Sequence, residues 1–89
     1  MRKYNLSDVI EFKNIPEYSA DDIMRIRKNL QLGRNKFAQL TGVSVKTIET
    51  WEYGRNRPNG SAARLLQLLE SNPDIFMREM INFRIESLK

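Results

Sequence analysis

The sequence predicts an all-α protein, a single small bundle of five helices preceded by a short N-terminal arm. Three observations carry the prediction. Apolar residues recur at spacings of three and four, as in Ile23, Ile26 and Leu30 or Leu65, Leu66 and Leu69, which is the period of a helix with one buried face. Residues that start or stop helices punctuate those runs at Ser19, Gly42, Ser44, Gly54, Ser61 and Pro73. No stretch alternates apolar and polar residues for long enough to make a convincing strand.

Residues 1–18 are read as the arm. Leu6, Val9, Ile10 and Phe12 could share a short helical face, but Pro16 closes the segment early, so a disordered end and a partner-binding segment both stay open. Residues 19–72 are read as the folded domain. Ser19 followed by Asp22 is a variant capping box, with Asp21 and Asp22 set favourably against the helix dipole, and it starts a helix over about 20–31. Gly33 interrupts. A second helix runs from about Arg34 to Thr41 and turns Phe37, Ala38 and Leu40 inward. Gly42 supplies the left-handed residue that a helix C-terminus needs. Val43 tucks into the core, Ser44 caps a third helix over about 45–52, and Ile48 and Trp51 are its buried face. After the loop Arg55-Asn56-Arg57-Pro58-Asn59-Gly60, Ser61 is expected to cap a fourth helix whose stripe is Ala62, Leu65, Leu66 and Leu69. Pro73 opens a fifth.

That last helix, read over 74–88 within a C-terminal element of residues 73–89, carries Ile75, Phe76, Met80, Ile81, Phe83, Ile85 and Leu88. A helix at the edge of a small bundle cannot bury so many apolar residues alone. Ile75, Phe76, Met80 and Phe83 are therefore expected at a homodimer interface. Eighty-nine residues with 40% hydrophobic content make one domain with a small core, a size at which association is a common source of extra stability.

Composition excludes much chemistry. There is no cysteine and no histidine, which removes disulfides, thiolate and imidazole catalysis and most zinc sites. No cofactor or metal is expected. The paired carboxylates Asp21–Asp22 and Glu49–Glu52 read as a helix start and a charged helix face rather than as catalytic acids. No apolar run is long enough for a membrane span or a signal-peptide core, so a cytoplasmic location is expected. The net charge is +4, and both ends are neutral. All of the excess lies within residues 19–72, where nine basic side chains face five acidic ones. A basic middle between neutral ends points to a polyanion partner. The competing reading is an ordinary solvated surface.

The pair of helices around Gly42 favours the first reading. A helix of about eight residues fits the DNA major groove, and bases are read by short side chains at its N-terminal end. Val45, Lys46, Thr47 and Thr50 meet that need. Lys46 can donate to guanine O6 or N7, the threonines can hydrogen-bond or touch a thymine methyl, and Val45 offers apolar contact. Arg34 and Lys36 before this helix, with Arg55 and Arg57 after it, are placed to hold phosphates on both flanks. Glu49 lies close by, where it would accept from cytosine or repel phosphate.

Residues 22–72 resemble a Cro/cI-type helix-turn-helix domain, the xenobiotic-response-element class. The likeness rests on Phe37-Ala38-Gln39-Leu40-Thr41-Gly42-Val43-Ser44, then Thr47-Ile48-Glu49-Thr50-Trp51-Glu52-Tyr53-Gly54, then Arg57-Pro58. Pro58-Asn59-Gly60-Ser61-Ala62, Leu65-Leu66 and Asn72-Pro73 are in turn similar to the HigA antitoxins and their MqsA-like relatives. The resemblance implies a lambda-repressor-like bundle and a homodimer on a palindromic operator of double-stranded DNA. It also implies a cognate toxin as protein partner and repression of the chain's own operon. It places base contacts at Val45, Lys46, Thr47 and Thr50 and phosphate contacts at Arg34, Arg55 and Arg57, and it pairs Arg27 with Glu52 as a structural ion pair. Two positions depart from the pattern. The serine that usually caps the second helix is Gly33, and the glutamine after it is Arg34. Two further readings stand beside this one, a stand-alone or phage-type repressor without a toxin and a protein-interaction module that works through its ends.

Overall fold

A computed structural model describes residues 5–83, and among these it forms six helices and no strand. In order they are α1 (Leu6–Val9), α2 (Ala20–Asn29), α3 (Arg34–Thr41), α4 (Val45–Glu52), α5 (Gly60–Ser71) and α6 (Pro73–Met80). The sixth helix relative to the expected five is α1, a single turn without a side-chain cap or a buried residue. The chain from Ile10 to Ser19 is not helical and joins it to the bundle.

Each main helix has a readable beginning. The Ser19 hydroxyl accepts from the Asp22 amide at 3.2 Å, and the Asp22 carboxylate accepts from the Ser19 amide at 2.9 Å. This completes the capping box and holds the Asp22 carboxyl below its ordinary range. Ser44 accepts from the Thr47 amide at 3.0 Å. For α5 the expectation is corrected, because the cap is Asn59, whose side chain accepts from the Ala62 amide at 3.0 Å. The sequence offers two good capping residues, and the earlier one takes the role. α5 therefore starts at Gly60 and buries Ala63 with Leu66 and Leu69, while Ala62 and Leu65 are only partly buried.

The helix ends differ more from expectation. α2 stops at Asn29 rather than at about 31, because Gln31 adopts a left-handed conformation with φ 59°. The Leu32 amide then reaches back to the Arg27 carbonyl, and the Gln31 amide to that of Lys28, which is the Schellman arrangement. Gly42, with φ 75°, ends α3 as expected. α6 ends at Met80, and Ile81 is extended, so this helix is shorter than the expected 74–88. Ile85 and Leu88 lie outside the described residues.

The core gathers Tyr18, Ile23, Ile26, Phe37, Ala38, Ile48, Trp51, Ala63, Leu66, Leu69 and Phe76. α4 packs against α2 and α3, and α5 packs against α3 and α6. Phe76, expected at a dimer interface, is packed into its own chain's core and is 7% exposed. Ile75, Met80 and Phe83 remain exposed.

Residues 13–18 follow α5. Arg64 donates to the Lys13 carbonyl at 2.9 Å, Gln67 to the Asn14 carbonyl at 3.4 Å, and the Tyr18 hydroxyl to Glu70 at 3.2 Å. Tyr18 is 4% exposed, and burial together with the neighbouring Glu70 pushes its pKa up to about 12. It precedes the cap residue Ser19, while Ile23 stands at the fourth helical position, the two places of a hydrophobic staple.

Candidate nucleic-acid interface

The interface is built on the turn between α3 and α4. Gly42 tolerates the left-handed angle without steric cost, and its amide and that of Val43 both bond back to the Ala38 carbonyl. Thr41 is buried at this corner and donates to the Phe37 carbonyl at 2.8 Å, so no buried polar side-chain atom among the described residues lacks a partner. With Phe37, Ala38, Ile48 and Trp51 packed beneath it, the turn seats α4 on the core and leaves Lys46 exposed near its start.

The expected base-reading residues differ in their exposure. Lys46 is exposed and makes no ion pair among the described residues. Thr47 and Thr50 are half-exposed. The Thr47 hydroxyl lies 2.9 Å from that of Ser44, and the Thr50 hydroxyl donates to the Lys46 carbonyl at 2.9 Å. Each hydroxyl oxygen keeps acceptor capacity, and each threonine keeps a methyl group for apolar contact. Val45 is partly buried and packs against the core, so it contributes to packing as well as to the outer surface.

The other end of α4 is held by a buried cluster of charge. Arg27 forks onto Glu52, with Nε at 2.7 Å from Oε2 and Nη2 at 3.1 Å from Oε1. Its Nη1 donates to the Leu32 carbonyl at 3.1 Å. Arg34 adds a third bond, Nε to Glu52 Oε1 at 3.0 Å. The Glu52 side chain is fully buried, Arg27 is 13% exposed and Arg34 is 37% exposed. Burial alone would raise the Glu52 carboxyl, but the hydrogen bonds from Arg27 and Arg34 outweigh it and hold the group below the usual carboxylate range. The same bond to Glu52 holds the Arg34 guanidinium above its ordinary value. Arg34 therefore braces α3 to the end of α4 while keeping a partly exposed guanidinium.

Of the remaining expected phosphate contacts, Arg55 and Arg57 follow α4 in the chain, whereas Lys36 lines a pocket with Met77 and Met80 of α6. Lys36 is exposed on α3, and Arg55 and Arg57 are exposed in the loop after α4. Arg57 lies 3.2 Å from Glu17, with both side chains well exposed, an ion pair of the kind that contributes little and exchanges readily. Arg57 also lines an open cleft of about 500 Å³ with Thr47, Asn56, Asn59 and Ser61. Asn56 and Ser61 add polar groups beside Thr47, Ser61 being expected only as a helix cap and Asn56 only as a loop residue. Their signal was the turn-rich loop after Gly54. No cluster of carboxylates suited to a metal ion occurs among the described residues.

Residues 4–80 match the family described as the antitoxin component of a bacterial toxin–antitoxin system, MqsA. The chain belongs to this family. Among the relatives of this MqsA-family chain is Antitoxin HigA-2 of Vibrio cholerae, 36% identical over 74 residues, which cover 83% of this chain and 67% of the relative. The chain is also 34% identical over 55 residues to an uncharacterized HTH-type transcriptional regulator, YiaG of Escherichia coli. That match covers 62% of this chain and 57% of YiaG, so the chain spans little more than half the length of that relative. The likeness to both supports a helix-turn-helix DNA-binding protein of the antitoxin type, and it agrees with the all-α bundle. No helix among the described residues is long and apolar enough to cross a membrane.

Proposed function

We propose that this chain is the DNA-binding antitoxin of a type II toxin–antitoxin pair, acting in the cytoplasm, and that as a homodimer it represses its own operon. The observation that carries this reading is α4, a capped, rigidly packed helix with Lys46, Thr47 and Thr50 at its outer end. Arg34 is tied to its last residue, Arg55 and Arg57 follow it in the chain, and Lys36 is exposed on α3. Such a helix enters a major groove with Lys46 donating to guanine, the threonines contacting adjacent bases and the arginines holding phosphates. Its work is binding, not catalysis.

One copy presents few base contacts, so specificity depends on two copies about one helical turn apart, roughly 34 Å, on a palindrome. The exposed Ile75 and Met80 of α6, with Phe83 beyond its end, are the proposed dimer contacts. A cognate toxin is the proposed protein partner, with the exposed Leu6, Val9 and Phe12 as its candidate contacts.

The test is binding to duplex DNA from upstream of the chain's own gene, compared with a scrambled duplex, across a salt series. The expected result is preference for the upstream duplex, with affinity falling steeply as salt rises. Lys46→Ala should cost about 1–3 kcal/mol on the upstream duplex and little on the scrambled one. Equal binding to both duplexes by the unaltered protein would overturn the assignment. The likeness to YiaG favours a second reading, a regulator without a toxin. Co-purification with the product of an adjacent gene separates the two.

A further inference from the structure

Tyr53 is the first residue after α4 and is 58% exposed. Two guanidinium groups lie over it. The Arg34 carbon is 5.5 Å from the ring centroid and that of Arg55 is 5.9 Å, both within the range of cation–π attraction.

The two arginines reach the ring from different elements. Arg34 belongs to the first turn of α3 and is tied through Nε to the buried Glu52. Arg55 follows Gly54, whose φ of 75° turns the chain so that the Arg55 amide bonds back to the Thr50 carbonyl at 3.0 Å. With its Nε committed to Glu52, Arg34 keeps its terminal nitrogens for other partners, and its side chain is 37% exposed. Arg55 has no carboxylate partner among the described residues. Two like charges over one ring repel each other, and the π-face offsets part of that cost. The result is two guanidiniums gathered on one ring at the end of α4, of which Arg34 is paired with Glu52 and Arg55 with no carboxylate among the described residues.

We infer that Arg34, Tyr53 and Arg55 form one phosphate-binding site for the DNA backbone, in which Tyr53 is the positioning residue that holds both guanidiniums in register. The inference rests on the DNA-binding reading above and adds a residue to it. Tyr53 carries no base specificity, since phosphate contacts set orientation and affinity rather than sequence. Its ring replaces the entropy cost of ordering two long side chains at the moment of binding with order already present in the free protein.

The experiment compares Tyr53→Phe, Tyr53→Leu, Arg55→Lys and the double variant Tyr53→Leu/Arg55→Lys. Each is titrated with the upstream and scrambled duplexes over a salt series, and thermal unfolding is followed in parallel. Tyr53→Phe keeps the ring and is expected to bind like the unaltered protein. Tyr53→Leu is expected to weaken binding to both duplexes by the same factor, about three- to tenfold. Because no charge is removed, its dependence on salt should stay unchanged. Arg55→Lys should lose a similar factor, since an ammonium keeps the charge but not the plane. The double variant should lose little more than either single one. The inference is overturned if Tyr53→Leu binds like the unaltered protein, if Tyr53→Phe loses as much as Tyr53→Leu, or if the losses multiply in the double variant. Failure of the unaltered protein to bind either duplex would instead defeat the DNA-binding reading, and the site with it.

Discussion

Replacing Glu52 by Gln removes one charge from a fully buried side chain while preserving its shape. The carboxylate accepts three hydrogen bonds, two from Arg27 and one from Arg34, and its side chain is fully buried. A glutamine carbonyl replaces one carboxylate oxygen, and its NH2 group then faces a guanidinium donor. Breaking a buried pair from one side costs about 3–5 kcal/mol. Arg27 keeps its bond to the Leu32 carbonyl, and Arg34, at 37% exposure, can turn to water, so the expected loss is about 2–4 kcal/mol. For a domain of this size that lowers Tm by roughly 10–25 °C. Urea unfolding followed by the fluorescence of Trp51, the single tryptophan, gives the number. The pH dependence supplies a second readout. Because the Glu52 carboxyl is held below its ordinary range in the folded chain, its contribution is present above the unfolded pKa. It is lost as pH falls through the lower folded value. Glu52→Gln should therefore lie well below the unaltered protein at neutral pH and approach it in acid. A loss under about 0.5 kcal/mol at neutral pH, the usual range for surface changes, would refute the reasoning. So would two acid profiles that run parallel.

Four further outcomes are expected from the same unfolding assay. Asn59→Ala should cost about 1 kcal/mol by removing the cap of α5, whereas Ser61→Ala should stay within about 0.5 kcal/mol; the reverse order would restore Ser61 as the cap. Gly42→Ala should destabilise by about 1–2 kcal/mol, because φ is 75° and the new methyl meets nothing within 4 Å to offset the strain. Gln31→Gly should do the opposite, gaining about 0.5–1 kcal/mol by relieving the left-handed angle at φ 59°. The Tyr18 hydroxyl, pushed up to about 12, should contribute stability that is complete below pH 10 and lost as pH rises through about 12. Tyr18→Phe should lack that alkaline loss.

The helix pair around Gly42 was legible because every signal there agrees. Apolar spacing, a glycine stop, a serine cap and a second apolar face all place α3 at Arg34–Thr41 and α4 at Val45–Glu52. Elsewhere the signals compete. Asn59 and Ser61 are both good caps, and only packing selects between the registers they allow. Gln31 carries no mark of a left-handed residue, so the early end of α2 has no local cue. Phe76 looks the same in sequence whether it fills its own core or a partner's, and it fills its own. Tyr18 did leave a trace, an aromatic residue just before a capping box with Ile23 beyond it, which is a staple pattern that was open to reading. At the site, the Arg27–Glu52 pair follows from the family pattern. The bond from Arg34 to Glu52 does not, because that position departs from the pattern and a side chain's partner depends on tertiary placement.

The strap formed by residues 13–18 has a mechanical consequence. Its attachments at Arg64, Gln67 and Glu70 are about one helical turn apart on α5, and the Tyr18 ring is sunk in the core at their end. A protein gripping Leu6 or Phe12 would pull on a cable moored along a helix, not on loose chain. Tension at that end would be borne first by two hydrogen bonds to backbone carbonyls and then by the Tyr18 anchor, which sits one residue from the capping box of α2. The strap is thus a load path from the N-terminal residues to the helix whose Arg27 holds Glu52, and through Glu52 to α4.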